Sequence, residues 1–218
     1  MSLFQAIERE DVEYVRTIVN NPNADVNSEN QDPQVYIQKR YFTPLGLAVE
    51  KENIEIVKIL LENPKINVNQ KFHYQYSWND QVALTIAIQK RNVEIVKLLL
   101  EHGAIVNIEC GQQGYDGGWE TYDEMITPLY YAIKEENLEI IKLLLKYGAD
   151  VNCTCKEKVK DDDEEEWYGY EEITPLSFAI IKGNLEIIEL LIQQEGIRIS
   201  DNDMEELTRL GIKINAAD

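Results

Sequence analysis

Apolar residues recur along the chain as short stripes at helical spacing, and the clearest copies lie between residues 127 and 152. Leu129, Ala132 and Ile133 are three or four residues apart, so they share one face of a short helix. A second stripe follows at the same spacing, formed by Leu138, Ile141, Leu144 and Leu145. The segment is therefore predicted to fold as two successive amphipathic helices, each needing a neighbour to cover its apolar face.

Residues that start and stop helices flank both stripes. Thr127 can cap the first helix with its hydroxyl, and Pro128 suits the first helical position, where an N–H has no intrahelical partner. Asn137 tolerates left-handed backbone and is predicted to close the first helix and turn the chain. Gly148 takes positive φ without steric cost and is predicted to end the second helix.

The same pattern occurs five times in all, and the copy at the start of the chain is the weakest. The first-helix residues predicted to be buried between neighbouring units are Leu45, Ala48, Leu84, Ala87, Leu129, Ala132, Leu176 and Ala179. Terminal units of a repeat array must differ, because one of their faces meets water. We therefore predict one domain with units at about 1–27, 43–69, 82–107, 127–152 and 174–200, and a C-terminal cap at 200–218 whose helix spans residues 200–210.

Three copies of Thr-Pro-Leu, at residues 43–45, 127–129 and 174–176, are each followed three residues later by alanine. This pattern resembles the T-P-L-H-x-A signature of the ankyrin repeat, and the resemblance covers nearly the whole chain. It implies a mainly α solenoid of helix pairs with β-hairpin fingers. The chain departs from the family in two respects. The signature histidine is replaced by Gly46, Thr85, Tyr130 and Ser177. From Leu45 to Leu84, Leu129 and Leu176 the steps are 39, 45 and 47 residues, against about 33 in the family.

The extra length falls in four connectors, at residues 27–43, 69–82, 107–127 and 152–174, which are predicted to be elongated hairpin fingers. Phe72, Tyr74, Tyr76 and Trp78 alternate with polar residues, which is the strand period. Asp116-Gly117-Gly118 suits a hairpin turn. The run of six acids at 161–166 repels itself, so residues from about 158 to 166 are predicted to be the most mobile part of the chain.

Aromatic residues concentrate in these connectors, which hold 13 of the 19, including all three tryptophans. Cross-strand packing between long fingers explains part of this enrichment. Tyr and Trp are also the favoured anchors of protein interfaces. The candidate partner-binding residues from the fingers are Tyr36, Tyr41, Tyr74, Tyr76, Trp78, Tyr115, Trp119, Tyr122, Trp167, Tyr168 and Tyr170.

The resemblance also implies a concave binding surface made of the fingers and the inner helices. The corresponding inner-helix positions are mixed in charge: Glu50, Lys51, Gln89, Lys90, Lys134, Glu135, Ile181 and Lys182. Lys90 and Glu135 are the inner-helix candidates for partner contact. The alternative is that these side chains are only solvated, and the sequence does not separate the two interpretations.

The chain is strongly acidic, with 40 Asp and Glu against 21 Lys and Arg and a net charge of −19. This field repels phosphate backbones and anionic lipid headgroups, so neither nucleic acid nor a membrane is expected as a partner. A basic protein or peptide is favoured, unless the charge serves solubility alone. Three cysteines imply no disulfide framework. With no signal peptide or apolar span, we expect a cytoplasmic monomer, in the cell that makes it or in one that receives it.

Few residues in the chain are suited to catalysis. The two histidines are His73, in a finger, and His102, at a predicted helix C-terminus where its charge is favoured. The cysteines, Cys110, Cys153 and Cys155, lack the spacing of a zinc site. We expect no cofactor, no metal and no enzymatic activity, and predict a protein-binding module. The alternatives are a metal- or redox-dependent regulator or enzyme with its chemistry in the fingers, and a structural protein that self-associates through its aromatic fingers.

Overall fold

The computed structural model describes residues 1–29, 42–74, 77–116, 119–121, 125–160 and 167–212. Within these ranges, five helix pairs follow one another and a further helix closes the array, so the fold is a mainly α solenoid as predicted. The helices are α1 (Leu3–Glu8), α2 (Val12–Val19), α3 (Pro44–Glu50), α4 (Ile54–Leu61), α5 (Ala83–Gln89), α6 (Val93–Glu101), α7 (Pro128–Lys134), α8 (Leu138–Lys146), α9 (Pro175–Lys182), α10 (Leu185–Ile192) and α11 (Asp201–Arg209). We number the pairs α1–α2 to α9–α10 as repeats one to five, with odd-numbered helices inner and even-numbered helices outer.

Threonine and proline start three of the inner helices, as predicted. The hydroxyls of Thr43, Thr127 and Thr174 each accept a hydrogen bond from the backbone N–H three residues later. Repeat three has Val82 at this position, and there Thr85 reverses the arrangement. Its hydroxyl accepts from the Val82 N–H and donates to the Gln81 side chain, which lies buried beside it. Thr85 thus replaces the signature histidine with a local cap.

The left-handed turn between the helices of each pair falls one residue earlier than predicted. Asn137 is extended, with φ −96° and ψ 92°, because its side chain caps α8 by accepting from the Ile140 N–H. Glu136 takes the positive φ, at 51°, and its equivalents in the other repeats are Glu10, Glu52, Arg91 and Gly183. The prediction that Asn137 is left-handed is therefore wrong, since N-capping and left-handed backbone cannot be combined in one residue.

The glutamates at this strained position bridge neighbouring repeats. The capping asparagine amides of the next repeat donate to them, at 3.0 Å from Asn53 to Glu10, 3.1 Å from Asn92 to Glu52 and 3.2 Å from Asn184 to Glu136. A hydrogen bond therefore offsets part of the cost of positive φ in a residue with a Cβ.

A second set of asparagines clamps the loops that follow the outer helices. Asn152 donates to the Gly196 carbonyl at 2.9 Å and accepts from the Arg198 N–H at 2.8 Å. Equivalent paired bonds to the next repeat are made by Asn27, Asn69 and Asn107. Each clamp satisfies backbone groups that the loops leave without regular partners.

The core is a row of interfaces between successive repeats. All eight predicted leucines and alanines are buried, none being more than 2% exposed. The outer helices add buried branched residues at equivalent positions, including Ile56, Val57, Ile95, Val96, Ile140, Ile141, Ile187 and Ile188. The predicted register of the repeats is confirmed by this burial.

The second, third and fourth connectors form hairpin fingers, as predicted. The strands are β1 (Phe72–Tyr74), β2 (Ser77–Gln81), β3 (Cys110–Asp116), β4 (Trp119–Thr121), β5 (Met125–Ile126), β6 (Cys155–Lys160) and β7 (Trp167–Ile173). We call β1–β2 the second finger, β3–β5 the third and β6–β7 the fourth. The second and third fingers join through β2 and β3 into a five-stranded antiparallel sheet, and the fourth is a separate two-stranded one. The first connector lies largely outside the described residues.

Two details of the fingers differ from the sequence prediction. The alternating run at 72–78 is not one strand, because the chain reverses within it and Tyr74 is the register partner of Ser77. The connector is short, so the chain has to turn back within this run in order to reach the start of α5 at Ala83. In the fourth finger, β6 extends to Lys160, so residues 158–160 are strand rather than part of a loop. The acidic run at 161–166 lies outside the described residues.

The C-terminal cap matches its prediction. Ser200 caps α11 by accepting from the Asp203 N–H, and Gly211 follows the helix with φ 74°. The Asp203 carboxylate is buried and accepts from the hydroxyls of Ser177, at 2.9 Å, and Ser200, at 2.8 Å. Ser177 holds the signature-histidine position of repeat five, where it binds the cap. Residues 197–199, which alternate apolar and charged side chains, form no strand.

Candidate partner-binding face

Seven of the eleven aromatic candidates lie on finger strands. Tyr74 is in β1, Trp78 in β2, Tyr115 in β3, Trp119 in β4, and Trp167, Tyr168 and Tyr170 are in β7. The remaining four, Tyr36, Tyr41, Tyr76 and Tyr122, lie outside the described residues. The backbone thus presents candidates on all three described fingers.

The join between the second and third fingers brings candidates from two connectors onto one sheet. Trp78 is the register partner of Gln113, two residues before Tyr115, and Trp119 is the partner of Asp116 across the third hairpin. Strands that share a ladder lie about 5 Å apart. Tyr74, Trp78, Tyr115 and Trp119 therefore lie on strands of one continuous sheet. The sequence did not predict this join.

The floor of the second finger explains one departure from the ankyrin signature. The Phe72 ring is buried over Gly46, where an added Cβ would lie 2.8 Å from Phe72 Cε1. It also packs against Phe42, with ring centroids 5.4 Å apart. Gly46 therefore makes room for the ring that anchors this finger on α3.

Two aromatic rings pack against each other between the inner helices of repeats four and five. Tyr130, at the signature-histidine position of repeat four, is buried and stacks on Phe178 with ring centroids 4.3 Å apart. An offset stack of this kind contributes beyond simple area burial. The Lys182 ammonium lies 5.5 Å from the centroid of the same Phe178 ring.

On the inner helices, a charge ladder links the first three repeats. Lys51 Nζ lies 2.6 Å from Glu8 Oε2, and Lys90 Nζ lies 3.0 Å from Glu50 Oε1. Each pair joins an acid at the C-terminal end of one inner helix to the lysine one position further along in the next repeat. Lys90, predicted to contact a partner, is therefore already held by Glu50.

The ladder does not continue into the last two repeats. Lys134 occupies the position of Glu8 and Glu50, and Lys182 occupies the position of Lys51 and Lys90 in the following repeat. Both lysines are exposed, and in the described part of the chain neither takes part in an ion pair. Glu135, the other inner-helix candidate, is half-buried at the end of α7.

Beside Lys182, Ile181 is 71% exposed, the highest value for a large apolar side chain among the described residues. We call Lys134, Ile181 and Lys182 the open patch. Sequence reasoning noted the mixed charges but did not single out this set. The set becomes visible when the inner helices of successive repeats are compared. Glu8 and Glu50 are each matched by a lysine in the next repeat, Lys51 and Lys90, whereas Lys134 is matched by another lysine, Lys182.

On the outer helices too, ion pairs join the first three repeats to one another. Arg16 pairs with Glu55 at 3.5 Å and Lys58 with Glu94 at 3.1 Å, again between successive repeats. Lys97 instead lies 3.8 Å from Glu101 of its own helix. These pairs are well exposed and contribute little to stability individually.

The candidate chemical residues occupy structural positions. His102 is the C-cap of α6, and its Nδ1 lies 2.8 Å from the Leu98 carbonyl oxygen. His73 lies in β1. Cys110 and Cys155 are buried at the starts of β3 and β6, at equivalent places in neighbouring fingers, and Cys153 is half-buried. Searching the described residues reveals no group of three or more His, Cys, Asp or Glu arranged to hold a metal ion.

Comparison with known proteins identifies a family. The family model described as ankyrin repeats (3 copies) matches residues 3–110, 72–155 and 119–203, overlapping matches that together run from α1 into α11. No curated protein matches the chain. Ankyrin repeats are generally protein–protein interaction modules, and the family is typically non-enzymatic. Within the described ranges, every helix is too short or too polar to cross a membrane.

Proposed function

Because the chain belongs to the ankyrin repeat family, we propose that it is a non-enzymatic module that binds a protein or peptide partner on its concave face. This face comprises the fingers and the exposed ends of the inner helices. The observation that carries the proposal is the continuous sheet of the second and third fingers, on whose strands Tyr74, Trp78, Tyr115 and Trp119 lie. Large aromatic anchors on a rigid backbone lose little conformational entropy on binding.

The open patch supports the same face. Two exposed lysines and an exposed isoleucine lie on the inner helices of repeats four and five, beside Glu135, and within the described residues neither lysine forms an ion pair. In the first three repeats, four residues at the equivalent positions form two ion pairs, Glu8 with Lys51 and Glu50 with Lys90. A partner therefore gains most from contacting the C-terminal half of the inner helices together with the fingers.

We further propose a partner that is basic overall. The net charge of −19 attracts basic proteins at long range and repels nucleic acids and anionic membranes. The open patch is a local cationic exception that helps to fix orientation. A cytoplasmic location fits the three cysteines, which form no disulfide.

Partner capture followed by calorimetry tests this proposal. Intact protein serves as bait, and the affinity of the captured partner is measured for wild type, Trp78→Ala and Trp119→Ala. Interface anchors commonly contribute ~2 kcal/mol or more, so each variant is expected to weaken binding by at least about 30-fold. Lys97→Ala on the outer face is the matched control and should bind like wild type.

Far-UV circular dichroism must stay unchanged in the tryptophan variants, so that lost affinity reports on contact rather than on folding. The proposal fails if both variants bind as wild type while substitutions on the outer helices abolish binding. The aromatics would then serve packing alone.

A further inference from the structure

The root of the fourth finger holds a pair of thiols that the proposed function does not use. We propose that Cys153 and Cys155 form an oxidisable dithiol, which peroxides convert into a reversible intramolecular disulfide. This modification site stands independently of the partner-binding face. It lies where the finger meets the start of α7, so oxidation acts on the connection between a finger and the helix array.

The geometry brings both sulfurs to one hydroxyl. Cys155 begins β6, opposite Ile173, and is buried; Cys153 lies two residues earlier, in the half-exposed loop that follows Asn152. Thr127 Oγ1 is 3.4 Å from Cys153 Sγ and 3.9 Å from Cys155 Sγ. The thiols are therefore neighbours in space as well as in sequence.

The surroundings shift the pKa values of the two thiols in opposite directions. The neighbouring Cys153 thiol, aided by the Thr127 N–H and hydroxyl, lowers the pKa of Cys155 to about 7, although burial and Glu109 oppose this. The neighbouring Cys155, with burial and the charge of Asp150, raises the pKa of Cys153 well above its usual range. Near neutral pH the pair thus offers one thiolate, the reactive form, beside one thiol.

Cys110 provides an internal comparison. It begins β3 three residues after Asn107, just as Cys155 begins β6 three residues after Asn152, and it is equally buried. In place of Thr127, however, its repeat has Val82, which has no hydroxyl, and two residues earlier it has Ile108 rather than a cysteine. Cys110 therefore shares the backbone setting of Cys155 without the second thiol.

The reaction balances with a peroxide as the oxidant. The Cys155 thiolate attacks one peroxide oxygen and the O–O bond breaks, giving a sulfenic acid and, after protonation, water. Cys153 sulfur then attacks the sulfenic sulfur, forms the S–S bond and releases a second water with its proton. Two thiols and one hydrogen peroxide become one disulfide and two waters, and an external thiol reverses the step.

Oxidation changes what Thr127 can contact. In the reduced protein its hydroxyl caps α7 by accepting from the Tyr130 N–H at 3.3 Å, while a sulfur lies on its other side. A disulfide has no S–H to donate and carries no thiolate charge. We expect oxidation to alter the seating of β6 against α7 and leave repeats one to three undisturbed.

Intact-protein mass spectrometry tests the proposal in a Cys110→Ser background, where only the pair remains. Equimolar hydrogen peroxide at neutral pH is expected to remove about 2 Da and both titratable thiols, and dithiothreitol should restore them. Peptide mapping should place the bond between Cys153 and Cys155. Stepwise gains of oxygen without the 2 Da loss would overturn the proposal.

A second measurement addresses the coupling itself. The alkylation rate of Cys155 by iodoacetamide should rise with a midpoint near pH 7 in the Cys110→Ser protein, and the Cys153→Ala change should move that midpoint upward, because the S–H donor is gone. The matched control is Cys110 in a Cys153→Ala/Cys155→Ala protein, which should react more slowly at pH 7. An unmoved midpoint, or equal reactivity of Cys110, would contradict the proposal.

Discussion

The first three repeats and the last two share one backbone plan but use their charged side chains differently. In repeats one to three, inner helices are joined by Glu8–Lys51 and Glu50–Lys90, and outer helices by Arg16–Glu55 and Lys58–Glu94. In repeats four and five, three of the four equivalent inner positions, Lys134, Ile181 and Lys182, form the open patch, and the fourth is Glu135. Both halves bury the same leucine and alanine pair in each inner helix.

The contrast shows that packing and surface chemistry are set separately. Exposed ion pairs are worth about 0–1 kcal/mol each, whereas a buried leucine is worth several times more. The ladders therefore add little to the cohesion of the array, and their absence costs it little. Lysines that form no ion pair within the described residues are instead open to contact with another molecule.

The largest expected effect tests whether the core is the same in both halves. Leu45→Ala in repeat two and Leu129→Ala in repeat four should each lower the free energy of unfolding by roughly 2–5 kcal/mol, through lost burial and a cavity. Urea denaturation measures both, with Leu185→Ala, at a half-exposed site, as the control. A loss below about half a kcal/mol at Leu129 would contradict the register of repeat four.

A smaller effect is expected at the C-terminal cap, which only the last repeat possesses. Asp203→Ala removes the buried acceptor of the Ser177 and Ser200 hydroxyls and should cost roughly 1.5–3 kcal/mol, the range for hydrogen bonds to a charged group. The exposed Asp201→Ala in the same helical turn is the control. Unfolding curves and protease cleavage near α11 report the loss. Equal effects of the two substitutions would argue against the network.

Next in size is the strain at the left-handed turns. Arg91→Gly should raise stability by about 1 kcal/mol, because glycine removes the cost of φ 58°. Glu52→Gly relieves the same strain but loses the bond from Asn92, so the two terms should nearly cancel. Thermal unfolding compares the pair. Equal gains from both would mean that the bridging glutamates contribute nothing.

The smallest effect is expected when the charge at one inner-helix position is exchanged between the two halves of the molecule. Lys134→Glu should recreate the inner rung with Lys182 and stabilise the fold by about 0.2–1 kcal/mol, and Glu50→Lys should cost a similar amount. Both effects should shrink in high salt, because exposed charges are screened. Chemical denaturation at two salt concentrations measures them. Destabilisation by Lys134→Glu would mean that the ladder is not transferable.

The helix pairs were predictable from sequence because their determinants are local. Thr127, Pro128 and the stripe at 129, 132 and 133 specify a start and a buried face within a few residues, and the structure confirms each. Asn137 was placed wrongly, since two turn-forming roles fall on adjacent residues and only backbone geometry distinguishes them. The sequence therefore indicated the type and order of the helices more clearly than the residue at which each turn falls.

The arrangement of the fingers was less predictable because it depends on pairing between distant segments. Whether β2 pairs with β3 is decided by the relative height and tilt of two hairpins, which no local pattern encodes. The open patch was hidden for a related reason. Lys134 and Lys182 look like ordinary surface lysines until residues almost 50 apart are compared with Glu50 and Lys90. Partner-binding roles for the finger aromatics remain proposals.

Hydrogen–deuterium exchange of the protein with and without its captured partner tests the central claim most directly. If the concave face binds the partner, slowed exchange should appear in β2 and β3 and at the C-terminal ends of α7 and α9, while α4, α6, α8 and α10 exchange as in the free protein. Protection confined to those outer helices, with the finger strands unchanged, would contradict the account.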